Sequence, residues 1–203
     1  MRILEQTAIL EHHTPQPLNT IERAARTCYK SDDKMNENGQ PNLAFLKKII
    51  NSGHESVIEH AYATVSIVTD RGVSHELVRH RLAAYSQEST RYCNYGKDKF
   101  DNEIRVIRPI YFTEWDRAYL LWEKVCMEAE TNYMAMLEQG ATAQEARAVL
   151  PNSLKTEIIM TANFREWKHI FNLRCAQAAH PQMRALMINL RDQFRKEFPV
   201  IFE

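Results

Sequence analysis

The chain has 203 residues, 44% of them apolar and 26% charged, with 26 Lys and Arg set against 26 Asp and Glu. Such a length and apolar fraction can bury one substantial core, so a single domain over residues 1–203 is expected, of the α/β (α+β) class that its mixed strand and helix patterns predict. Zero net charge excludes a global field that would hold nucleic acid or an anionic membrane, so any anion site must be built locally.

The N-terminal "MRILEQTAIL" carries one charge ahead of a short apolar stretch that Glu5 and Gln6 interrupt, a poor signal peptide. No window approaches the length of a membrane span. Cys28, Cys93, Cys126 and Cys175 are widely spaced and form no C-x-x-C pair, which argues against a zinc ribbon and a redox motif. Reduced, structural thiols in a cytoplasmic protein are expected. No internal repeat or low-complexity run is present.

In chain order, a first strand precedes "LNTIERAARTCYKS", where Asn19 as N-cap, Glu22 three residues on, and Ile21, Ala24, Ala25 and Cys28 predict a helix. "NLAFLKKIINSG" predicts a second, with Leu43, Leu46, Ile49 and Ile50 on one face and Gly53 just past its end. "HAYATVSIVTD" alternates, with Ala63, Val65 and Ile67 facing one way, and predicts a strand closed by Arg71-Gly72. Ser74 can cap a short helix, "HELVRHRL", whose C-terminal end is the run Arg79-His80-Arg81. "EIRVIRPIYF" reads as a strand; Thr113 with Asp116 opens a long helix ending near Gly140, and Thr142 with Glu145 forms a capping box before Pro151. "NSLKTEIIMTA" fits both strand and helix periods and stays open at this level. Asn163 and Glu166 start another helix through "WKHIFNLRC", and Pro181 suits the first turn of a last one. Strands mixed with helices predict a mixed β-sheet packed by helices.

On a helical turn Arg79 and Arg81 would point roughly 200° apart and could grip two separate anionic groups. Guanidinium forks suit phosphate or carboxylate, and a neutral imidazole between them can donate one hydrogen bond while accepting another. Taken alone, the run reads first as a solvated helix end whose cations offset the macrodipole. The segment that follows, Ser86, Gln87, Glu88, Ser89 and Thr90 closed by Arg91, can read a polar ring edge and a phosphate, or be an ordinary polar loop.

Arg79-His80-Arg81, seven residues, then Ser89, with Arg91-Tyr92 immediately after, resembles the RHR-x7-S signature of the flavin-dependent thymidylate synthases. "GHESVIEH", Gly53 to His60, resembles the family's G-H-x-[ST]-x-x-E-H segment; Arg147 in "ARAVLP" and "NLR" ending at Arg174 match two further elements. The correspondence runs from about Ile21 to the C-terminus.

The resemblance implies an enzyme that makes dTMP from dUMP, with 5,10-methylenetetrahydrofolate as carbon donor, FAD as hydride carrier and NADPH as reductant. It implies a homotetramer with active sites shared between subunits. Carried over by position, Arg79, His80 and Arg81 would hold FAD together with Ser56, Asn163, Arg165 and His169, and His54 would form a wall of the flavin site. Gln87, Glu88, Ser89, Thr90 and Arg91 would form the nucleotide loop, with Gln87 also near FAD and Glu76 and Arg79 beside dUMP. Arg147 and Arg174 would meet dUMP, Arg174 polarising the uracil. Two positions depart from the common pattern: Glu76 stands where many relatives have Gln, and His169 where Asn is common.

Such residue types suit the chemistry. FAD and dUMP bring three phosphates between them, and a chain without net charge must answer with local arginines. An arginine against a uracil carbonyl stabilises charge developing on the ring, so no cysteine nucleophile is required. A metalloenzyme is disfavoured although His54, Glu59, His60, His75 and His80 gather in sequence, because "HESVIEH" spaces its histidines six apart rather than four. Glu59 and His60 read instead as a short helix end or a hydrogen-bonded pair. A non-catalytic anion- or nucleic-acid-binding module, suggested by the arginines with Tyr85, Tyr92 and Tyr95, lacks the basic stripe it would need.

Overall fold

The computed structural model describes residues 1–203. Six strands form a two-stranded sheet, β1-β5, and a four-stranded sheet in the order β2-β3-β6-β4. The strands are β1 (Arg2–Leu4), β2 (Thr7–His13), β3 (Tyr62–Asp70), β4 (Ala83–Gln87), β5 (Arg105–Ile107) and β6 (Lys155–Asn163). β1 and β5 run parallel, with Ile3 opposite Val106. β3 and β6 run antiparallel: Phe164 N donates to Ala61 O at 2.8 Å at one end, and Arg71 N to Leu154 O at 3.1 Å at the other. The expected mixture of strands and helices is therefore present, and the ambiguous segment before Asn163 is a strand. Its alternation decides the matter, since Thr156, Ile158, Met160 and Ala162 are buried while Glu157 and Ile159 are exposed. No helix is long and apolar enough to cross a membrane.

Two compact units can be distinguished. One comprises Met1–Thr7, Ile67–Arg79 and Ser86–Ile158. In it α3 (Arg71–Leu77) begins as soon as β3 ends, because the Asp70 carboxylate accepts from Val73 N at 2.7 Å. This corrects the expectation that Ser74 caps a later helix: Ser74 lies inside α3 and its hydroxyl donates to Arg71 O. Starting four residues earlier, α3 also stops earlier, so Arg79, His80 and Arg81 lie beyond its end rather than on a helical turn. α4 (Arg117–Glu138) ends before Gly140, whose φ of 92° is the left-handed conformation glycine adopts without strain. α5 (Ala143–Ala146) opens with the predicted Thr142–Glu145 capping box. A core of Tyr95, Ile104, Val106, Cys126, Tyr133, Ala146 and Leu154 packs α4 and α5 against the strand ends.

The second unit comprises Ala8–Ser66, His80–Tyr85 and Ile159–Glu203. α1 (Pro17–Tyr29) starts at Pro17, not after Asn19, because proline's fixed φ suits the first helical position. α2 (Leu43–Asn51) is capped by Asn42, which accepts from Phe45 N at 3.0 Å, and Gly53 follows it with φ 76°. α6 (Phe164–Arg174) is capped by Asn163, whose side chain accepts from Glu166 N at 2.9 Å, and α7 (Pro181–Glu197) has Pro181 in its first turn, both as the sequence predicts. Phe164, Trp167 and Phe171 of α6 meet Phe194, Phe198 and Phe202 edge-on and tilted, with ring centroids 4.8 to 6.5 Å apart. The Trp167 indole donates to Ala63 O at 3.1 Å, which fixes the rotation of α6 against β3.

Glu22, predicted as a capping partner, is instead a buried ion-pair residue. Its Oε1 accepts from Arg26 Nε and Nη2 at 3.1 and 3.0 Å, its Oε2 accepts from Asn42 N at 2.6 Å, and the Arg26 guanidinium lies 3.8 Å from the Phe45 ring centroid. One carboxylate thus ties α1 to the start of α2. Glu22→Ala strands the buried guanidinium and an amide, and should lower unfolding stability by about 3 kcal/mol, read as a reduced urea midpoint; an unchanged midpoint would show the pair to be dispensable.

Candidate active site

The short turn after α3 carries the arginine–histidine–arginine run. Arg79 and Arg81 are exposed, whereas His80 between them is 5% exposed and turned inward. The Arg174 Nε donates to His80 Nε2 at 2.9 Å. Since an arginine can only donate, Nε2 must carry the lone pair, and the ring proton resides on Nδ1. Nδ1 lies 3.5 Å from Glu166 Oε1, a carboxylate itself 6% exposed. Tyr85 completes the arrangement by donating its hydroxyl to His80 O at 2.8 Å.

This environment sets the charge of the ring. Burial, then the Arg174 guanidinium, then His169 push the His80 imidazole down to about 4. His80 is therefore neutral near pH 7, in agreement with its role as acceptor. Burial and the Glu166 carboxylate push the Tyr85 phenol up to about 12, so it remains a donor.

Glu166 also borders a cleft of about 750 Å³ lined by Glu55, Tyr62, Leu82, Asn163, Arg165, Lys168 and His169, among others. That volume is in the range of sites for small molecules and cofactors. β6 and α6 build it: Asn163 ends the strand, and Arg165, His169 and Asn172 are exposed on the helix while Trp167, Ile170 and Phe171 face the core. Arg165 Nη1 donates to Glu59 Oε1 at 2.5 Å and Lys168 Nζ to Glu55 Oε1 at 2.6 Å. Glu59 thus pairs with Arg165, not with His60 as the sequence suggested, although the residues Glu55–His60 do form the expected short helix. His54 and Ser56 are exposed at its start, the His54 ring 6.4 Å from Tyr29.

The other unit holds the polar run. Ser86 and Gln87 belong to β4 and the chain leaves the strand only at Glu88, so two of the six residues of the polar run are strand rather than loop. Gln87 Nε2 donates to Ser74 Oγ and Thr156 Oγ1, both at 3.1 Å, and Arg71 Nη1 donates to Glu88 O at 3.2 Å. Glu88 accepts from Tyr95 Oη and Lys155 Nζ, each at 3.0 Å. Arg147, 57 residues away in sequence, donates through Nη1 to Thr90 Oγ1 at 3.2 Å. Two residues separately assigned to the nucleotide are thereby brought together. Ser89 Oγ accepts from Arg91 N at 3.3 Å, which shapes the turn, and Arg91 is exposed. Glu76 O accepts from Arg79 N at 3.3 Å.

His80, Glu166 and His169 place potential metal-ligand atoms within 4.8 Å of one another. The Arg174 bond, however, occupies the Nε2 lone pair and leaves the ring proton on Nδ1, 3.5 Å from Glu166, so neither ring nitrogen offers a free lone pair to a metal. No thiol is activated near the polar run: burial and the Glu88 carboxylate push Cys93 up, and burial likewise pushes Cys126 up to about 11. Cys28 is exposed rather than packed, a correction to its structural reading. Sequence reasoning missed Glu166 as anything but a capping residue; its only signal was a carboxylate one position before the buried Trp167.

The fold recurs in two solved structures. A UMP/dUMP methylase, PolB from Streptomyces cacaoi bound with 5-Br dUMP, superposes with a TM-score of 0.80 at 21% identity, covering 100% of this chain and 95% of that one. The flavin-dependent thymidylate synthase ThyX from Helicobacter pylori, complexed with FAD and dUMP, gives 0.76 at 24% identity over 97% and 98%. The architecture is therefore that of the ThyX-type enzymes. At the level of sequence, residues 9–200 match the family model of the thymidylate synthase complementing protein. A flavin-dependent thymidylate synthase of Geobacter sulfurreducens is 39% identical over 95% of this chain and 84% of its own length, and one of Pyrococcus furiosus is 34% identical over 92% and 78%. The chain belongs to the flavin-dependent thymidylate synthase family.

The lowered imidazole carries a stability signature. The unfolded chain binds a proton at His80 below about 6.5 and the folded chain only below about 4, so this contribution to stability is present above pH 6.5 and is lost as pH falls toward 4. His80→Gln should flatten that part of the stability–pH curve; an equally steep curve in the variant would place the titrating group elsewhere.

Proposed function

We propose that the chain catalyses reductive methylation of dUMP to dTMP, with 5,10-methylenetetrahydrofolate as carbon donor, FAD as cofactor and NADPH as reductant. The observation that carries this reading is the hydrogen bond from Arg174 to His80, which joins the arginine proposed to meet uracil to the arginine–histidine–arginine motif proposed to hold the flavin.

The residues present suit a flavin dinucleotide. Exposed guanidiniums at Arg79, Arg81 and Arg165 offer planar forks for phosphate, while Asn163 and His169 supply hydrogen-bonding groups in a cleft of adequate size. Ser56 and His54 would contribute from the short helix before β3, His54 as a wall for the flavin face on which NADPH and folate would act. FAD, when bound, supplies hydride transfer. On the nucleotide side, Gln87, Glu88, Ser89, Thr90, Arg91, Arg147 and Glu76 would bind dUMP, and the Thr90–Arg147 bond supports treating them as one element. Arg174, held through Nε by His80, would place positive charge at the uracil carbonyl and favour the ionised ring. Cysteine attack on uracil is not needed, and the raised Cys93 thiol is consistent with that.

Residues 1–203 would act as one catalytic domain in a cytoplasmic homotetramer whose sites are shared between subunits. Exposed apolar side chains on α4, including Leu120, Leu121 and Val125, support burial against another copy.

Purified protein should be yellow, show a flavin spectrum, and oxidise NADPH in a dUMP-dependent manner with dTMP formed when the folate is supplied. Colourless protein that FAD cannot reconstitute would defeat the reading. Arg174→Ala should largely abolish dTMP formation while flavin content stays unchanged; normal turnover would remove Arg174 from the chemistry.

A further inference from the structure

We infer that Glu166 is a positioning residue for the reaction: its buried carboxylate holds the proton of His80 on Nδ1, and so keeps the opposite ring nitrogen as the acceptor that aims the Arg174 guanidinium. This deepens the proposed function and rests on the assignment of Arg174 to the uracil.

The geometry leaves Glu166 little else to do. Its backbone N–H binds the Asn163 cap at 2.9 Å, but the carboxylate points inward to His80 at 3.5 Å and is 6% exposed. Burying a carboxylate is unfavourable unless a donor or a cation compensates it. The compensation here is arranged in series: the carboxylate faces Nδ1–H, and the ring's far side accepts from a guanidinium at 2.9 Å. Glu166 and Arg174 stand in the first and last turns of α6, so the imidazole bridges two ends of one rigid element. Tyr85 holds the bridge in place from the backbone side through His80 O at 2.8 Å.

The consequence is a choice of tautomer. With the proton on Nδ1, Nε2 receives Arg174 Nε–H; with the proton on Nε2, two N–H groups would face each other and the guanidinium would have to leave. A carboxylate fixing the tautomer of a histidine whose other nitrogen touches the working group is the same device that orients metal-bound histidines, where losing the outer carboxylate lowers activity about 10- to 100-fold. Asparagine at position 80 could not be oriented in this way, because its amide does not exchange donor and acceptor at fixed positions through a proton.

Glu166→Gln tests the inference, because glutamine keeps the volume yet can turn its amide N–H toward Nδ1 and stabilise the wrong tautomer. With FAD content and thermal midpoint near those of the parent, kcat for dTMP formation should fall about 10- to 100-fold while KM for dUMP changes less than kcat. Glu166→Asp should recover part of the loss. In the flavin-loaded parent protein, ¹⁵N spectra of the histidines, with His80 assigned by the His80→Gln variant, should show a protonated Nδ1 and a pyridine-like Nε2; Glu166→Gln should weaken or invert that pattern. In a double-mutant cycle, adding Glu166→Gln to Arg174→Ala should produce no further loss of turnover. Parent-like kcat in Glu166→Gln, an Nε2-protonated ring in the parent, or multiplicative losses in the cycle would overturn the inference. Loss of flavin together with a fallen midpoint in both Glu166 variants would overturn it too, by assigning the carboxylate to folding alone. If Arg174→Ala keeps full turnover, the failure lies in the Arg174 assignment, and the inference falls with it even where the ring has the expected tautomer.

Discussion

A buried imidazole that accepts a hydrogen bond from a guanidinium must be neutral, and much of the second unit is arranged around that requirement at His80. The turn after α3 places the ring inward while its two neighbouring arginines remain exposed. The backbone is held by the Tyr85 hydroxyl, and the ring by Arg174 and Glu166. Those last two residues belong to α6, which is itself held in place. Asn163 caps its start, Trp167 ties it to Ala63, and a cluster of six aromatic rings seats its inner face. The motif that looks on paper like three residues in a row is thus one buried acceptor flanked by two solvent-facing forks.

Local pairing answers the absence of net charge. In the cleft, Arg165 and Lys168 are matched by Glu59 and Glu55, and in the other unit Lys155 and Tyr95 converge on Glu88. Such pairs confer order on long cationic side chains without creating a long-range field. The exposed ion pairs contribute only modestly to stability, about 1 kcal/mol or less each.

Much of this was legible in the sequence where the controlling interaction is local. Capping at Thr142 and Asn163, the proline at the head of α7, and the glycines beyond α2 and α4 depend on neighbours within a turn, and they were readable as such. Errors arose where two local solutions compete. Pro17 displaced Asn19 as the start of α1, and Asp70 displaced Ser74 as the cap of α3, each by offering its backbone geometry or acceptor earlier along the chain. The cap at Asp70 moves the whole arginine–histidine–arginine run off the helix, so the angular separation expected of Arg79 and Arg81 does not apply.

By itself the sequence determined the class of site: arginines at fixed spacing in a chain of zero net charge, followed by a polar run, with a family resemblance that named flavin and nucleotide. Tertiary structure decided what each residue touches. Arg147 meets Thr90, and Arg174 meets His80, across separations of 57 and 94 residues that no periodicity encodes. Glu22 and Glu166 both occupy positions that read as helix caps, and both prove to be buried carboxylates with distant partners. The physical reason is that a carboxylate's role follows from what compensates its burial, and the compensating group is supplied by another element of the fold.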